Sequence, residues 1–91
     1  MLKIQRTTNG ETVFRLIGRM DVENVKELEE VFQAEAKGRR VVLDLRDLVL
    51  VDRAAVKFLE HCESDSIELR NCPAYIREWI TRERESSQGV A

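Results

Sequence analysis

No hydroxyl-bearing residue stands between Val41 and Val56, a stretch that otherwise reads as a buried strand, a short loop and the start of a capped helix. Functional groups gather at such edges, so the gap excludes a serine or threonine nucleophile there. Cysteine is scarce too. Cys62 and Cys72 are the only two, and their separation fits neither a short metal-ligand pair nor a redox pair, which leaves two reduced thiols. The single histidine, His61, sits beside Cys62, but helix neighbours point about 100° apart, so a zinc site would need ligands from elsewhere. There is no glycine-rich phosphate loop. No apolar run approaches the roughly 18 residues of a membrane helix, and the N-terminus lacks a basic segment followed by an apolar core. Neither secretion nor membrane insertion is indicated, and a cytoplasmic location is expected. An excess of charge of one sign is also missing: 15 basic against 17 acidic side chains leave a net charge of −2, which gives no field to draw the chain to nucleic acid.

What is present fits one small globular domain. In 91 residues, 43% are hydrophobic and 35% charged, the latter well above the usual quarter, so the surface is dense in mixed charge. Leu2 to Arg6 alternates apolar and polar residues, Asn9-Gly10 supplies a turn, and Thr12 to Ile17 resumes as strand, predicting an opening hairpin. Asp21 caps a helix whose apolar stripe is Val22, Val25, Leu28, Val31 and Phe32, with Glu23, Lys26, Glu27, Glu30 and Gln33 outside it. Lys37-Gly38 ends that helix. Arg40 to Leu45 is the central strand, rich in residues suited to burial on both faces. Arg53 to Glu63 is predicted as a second helix, capped by Asp52, with Ala55, Phe58, Leu59 and Cys62 inward and Lys57, Glu60 and Glu63 toward water. Ile67 to Arg70 is a short strand, and Asn71-Cys72-Pro73 starts a third helix with Ile76, Trp79 and Ile80 on its apolar face. The fold class is therefore α/β, a small mixed β-sheet with packed helices in the order ββαβαβα. Residues 1–85 form the domain, and 86–91 are expected as a flexible tail.

Two segments carry a family resemblance. The strand ending in Asp44-Leu45, the apolar residues that follow, and then Asp52-Arg53-Ala54-Ala55-Val56 resemble the STAS domain of anti-sigma-factor antagonists, where the corresponding loop reads Asp-Ser-Ser-Gly-Leu. Upstream, Phe14 to Asp21 resembles the family's strand followed by Gly, two residues and Asp, here Gly18 and Asp21. The resemblance implies a non-catalytic module that binds a kinase-like anti-sigma factor or related regulator through Asp21, Asp52, Arg53, Ala54 and Val56. It implies no cofactor, and a homodimer is compatible with it. In regulated members the first serine of the loop accepts phosphate, which breaks the complex. Arg53 stands at that position and cannot do so. Family members also serve as cytoplasmic partners of membrane transporters, and some bind nucleotides, so an accessory transport subunit and a small-molecule sensor remain open. Members usually continue with a further strand and helix. An exposed apolar patch is expected where those would pack.

Two readings of Arg53 stand side by side. It is a fixed charge of opposite sign where a phosphate would sit, or a neutral change at a solvated turn. A cation opposes the dipole at a helix start unless it is paired, and Asp52 and Asp21 are the expected partners. Asp21 and Asp52 read first as caps, although two neighbouring carboxylates could hold a cation or perform acid-base work. Asp44, in a buried strand, needs hydrogen bonds or an arginine. Tyr75 and Trp79, four positions apart, are expected to pack inward, and Ser86 and Ser87 carry no assigned role.

Overall fold

The computed structural model describes residues 2–8, 10–35 and 40–88. Its elements are β1 (Leu2–Thr8), β2 (Thr12–Met20), α1 (Val22–Glu35), β3 (Val41–Asp44), β4 (Leu48–Val51), α2 (Arg53–Ser64), β5 (Glu68–Arg70) and α3 (Ala74–Gln88). This is the expected mixed sheet with three packed helices, plus one strand, β4, where only a loop was expected. The helix end expected at Lys37-Gly38 lies outside the described residues, as does Asn9 of the first turn. α3 continues through Ser86, Ser87 and Gln88, into the stretch expected as tail.

β2 organises the sheet. Antiparallel β1 covers one edge along its whole length, from Leu2 opposite Gly18 to Thr8 opposite Thr12. The other edge is shared by two short parallel strands. β3 pairs Val41 to Asp44 with Thr12 to Arg15, and β4 joins further along, setting Leu48 opposite Gly18 and Val51 opposite Met20. β5 flanks β3. The handover from β3 to β4 needs Gly18: its φ of +101° is a left-handed value that favours glycine, the register shifts just after it, and its N–H donates to Asp47 O at 3.0 Å.

Period-two alternation places Thr12, Phe14, Leu16 and Met20 in the core, while Arg15 and Arg19 face solvent. α1 contributes Leu28, α2 contributes Ala55, Val56, Leu59 and Cys62, and α3 contributes Ile76 and Ile80. Phe14, Phe32 and Phe58 form a ladder of rings, with centroids 5.4 and 5.7 Å apart in sequence. On the solvent face, Arg70 reaches Glu11 at 3.0 Å and Glu68 at 3.1 Å, while Arg40 reaches Glu68 at 2.8 Å. The side-chain hydrogen bond from Arg70 is the main reason the Glu68 carboxyl is held below its usual range.

α3 docks on α2 through charge as well as through isoleucine. Glu63 accepts both Arg77 Nη1 and Nη2 at 2.8 Å, and Arg84 Nη2 at 2.6 Å. Glu63 was expected to face water; instead, the bidentate arginine bond, reinforced by Arg84, draws it into the helix interface and lowers its pKa from 4.5 to about 2.

Candidate functional site

The site follows from strand register. β2 and β4 run parallel and end level, Met20 beside Val51, so the next residues, Asp21 and Asp52, emerge side by side, each starting a helix. The Asp52 N–H donates to Met20 O at 3.3 Å and closes the pair of strand ends. Asp52 Oδ1 accepts the Ala55 N–H at 2.9 Å, capping α2, and Oδ2 accepts the Val22 N–H at 3.2 Å, capping the first turn of α1. Asp21 Oδ1 accepts the N–H groups of Glu23 at 3.0 Å and Asn24 at 3.4 Å, while Asn24 Oδ1 accepts the Asp21 N–H at 3.0 Å. That reciprocal exchange is a capping box with asparagine in place of glutamate. The carboxylates are thus engaged as caps. Among the described residues no group of three or more His, Cys, Asp or Glu side chains could hold a metal ion.

Arg53 lies next to Asp52, 68% exposed, but pairs with neither expected partner. Its Nε donates to Glu83 Oε1 of α3 at 3.0 Å. Both nearby aspartates are engaged by backbone donors, whereas Glu83, only 13% exposed, has its charge answered by the Arg53 guanidinium. Ala54 is half-buried beside it. Val56 is fully buried in the core beneath the loop. Asp44 is only half-buried, and its Oδ1 accepts the Arg46 N–H at 3.0 Å and Asn71 Nδ2 at 3.3 Å.

Exposed apolar side chains lie near these helix starts. Val22, expected in the α1 stripe, is 52% exposed. Val49 and Leu50 of β4 are 64% and 55% exposed. Tyr75, expected inward with Trp79, lies outside: its hydroxyl donates to Val49 O, and only Trp79 is half-buried.

Several solved structures share the fold. The anti-sigma factor antagonist SpoIIAA in its unphosphorylated form matches with a TM-score of 0.62 at 16% identity, over 99% of this chain and 97% of that one. An uncharacterized DUF3478-family protein with a SpoIIAA-like fold, from Shewanella loihica PV-4, matches with a TM-score of 0.57 at 13% identity, over 91% of this chain and 75% of that one. Comparison with curated proteins gives no match. The STAS domain pattern matches residues 3–72, which takes in both capped helix starts and the sheet that positions them; the chain belongs to the STAS domain family.

Proposed function

We propose that this STAS domain is a non-catalytic protein-binding module resembling an anti-sigma-factor antagonist, and that it binds a kinase-like anti-sigma factor or related regulator without a serine switch. One observation carries the reading. Among the described residues, the exposed large hydrophobic side chains are Val22, Val49, Leu50 and Tyr75. Val22 is bonded to Asp52, Tyr75 to Val49, and Leu50 lies between Val49 and Asp52 in sequence, with the exposed Arg53, paired to Glu83, next to Asp52. Exposed apolar side chains near one exposed arginine have the composition of an interaction surface.

Arg53 fixes the charge of that surface. Where a phosphorylatable serine would alternate between neutral and dianionic, an arginine presents one constant positive group, so partner choice is set by the sequence. The Arg53–Glu83 pair holds the side chain over α3. The test is affinity capture of the tagged chain from its native cell lysate, beside an Arg53→Glu variant. The reading expects an anti-sigma-like kinase to be recovered by the parent and released by the variant, and the loop to remain unmodified when that kinase is supplied with ATP. Recovery of an integral-membrane transporter, or stoichiometric phosphate near residue 53, would overturn it. No helix among the described residues is long and apolar enough to cross a membrane.

A further inference from the structure

At the other end of the sheet, level with the start of β3, a cavity of about 600 Å³ opens between the C-terminal halves of α1 and α2. Its volume falls within the roughly 300–1,000 Å³ of small-molecule sites. Phe32 and Phe58 line it as a stacked pair, 5.7 Å between centroids, together with Val41, Cys62 and Ile67.

The polar wall has a sign. Glu29 of α1 and Asp65 at the end of α2 both line the cavity, are both exposed, and have no ion-pair partner among the described residues. Arg40 also lines it, but its guanidinium is held by Glu68 at 2.8 Å, with Glu11 at 4.0 Å, so its charge is answered outside the cavity. His61 completes the rim. Burial first, and then the negative charges of Asp65 and Glu29, push the Cys62 thiol up to about 12.

We propose that this cavity binds a small organic cation, an amine or quaternary ammonium on an aromatic or aliphatic body. The body would lie against the Phe32 and Phe58 rings, and the cation would be held by Glu29 and Asp65. Carboxylates favour positive charge, and an apolar floor favours a carbon skeleton over a hydrated metal ion.

The experiment titrates the full chain with phenylbutylamine and, separately, with phenylbutyrate, which has the same skeleton and the opposite charge. Binding is read by calorimetry and by amide chemical shifts. The amine is expected to bind saturably at millimolar concentration, with shifts centred on Phe32, Phe58 and Ile67, and the acid to bind far more weakly. The double variant Glu29→Gln and Asp65→Asn should lose about tenfold in amine affinity, two exposed charges at under about 1 kcal/mol each, with its unfolding midpoint nearly unchanged. Equal binding of amine and acid, full affinity in the double variant, shifts centred elsewhere, or no saturable amine binding would each overturn the proposal.

Discussion

Asp52 Oδ2 accepts the Val22 N–H at 3.2 Å, so the carboxylate that caps its own helix also holds the start of another, 30 positions upstream. Removing it strips a cap from two helices at once. Asp52→Ala is expected to cost about 2 kcal/mol in urea unfolding, against about 1 kcal/mol for Asp21→Ala, which serves one helix. Equal costs would mean that the bond to Val22 contributes nothing.

Glu63 links stability to pH. Its folded pKa, about 2, lies below the ordinary 4.5, so its contribution is complete above about 4.5 and lost as pH falls through about 2. Glu63→Gln should therefore be less stable than the parent by on the order of 2 kcal/mol at neutral pH, with the gap closing between about pH 5 and pH 2. Denaturation of both proteins across that range checks it; a constant gap would contradict the assignment.

Thr12 is fully buried, and its hydroxyl has no hydrogen-bond partner among the described residues. Replacing an unsatisfied buried hydroxyl by a methyl of the same shape removes a desolvation cost, so Thr12→Val is expected to stabilise the fold by about 1 kcal/mol. A lower unfolding midpoint would show that the hydroxyl is satisfied.

Much of this was legible in the sequence for local reasons. The alternation of β2 and the Ala55, Leu59, Cys62 spacing of α2 each report one face of one element, and the caps at Asp21 and Asp52 are short-range chemistry. Four features were not local. Leu48 to Val51 is a continuous apolar run of strand length, too brief for periodicity to separate it from a loop, and only its pairing with Gly18 to Met20 makes it β4. Val22 obeys the α1 stripe, but a stripe does not say which of its positions the fold covers. Glu83 became the partner of Arg53 because α3 docks along α2, an angle that no spacing within either helix encodes. Tyr75 was misread for the same reason, since the face it shares with Trp79 is wider than the surface α3 buries.

The Arg53–Glu83 pair is exposed on the arginine side, and such pairs contribute little to stability. Arg53→Glu is expected to shift stability by less than about 1 kcal/mol while changing the sign of the charge at position 53. Thermal unfolding of the single variant and of Arg53→Glu with Glu83→Arg separates the roles: both should stay folded, and the double variant should regain stability without regaining a positive charge at position 53. A collapse of the fold in the single variant would make the pair structural.

The central claim is that the surface around Asp52 is the partner-binding face, and Leu50 tests it most directly because it is 55% exposed and belongs to none of the capping interactions. The measurement is calorimetric titration of the captured partner with the parent chain and with Leu50→Asp, alongside unfolding curves of both. The account predicts unchanged folding and at least about a tenfold loss of affinity, as for a contact residue at an interface centre. Full affinity in a folded Leu50→Asp chain would place the binding face elsewhere.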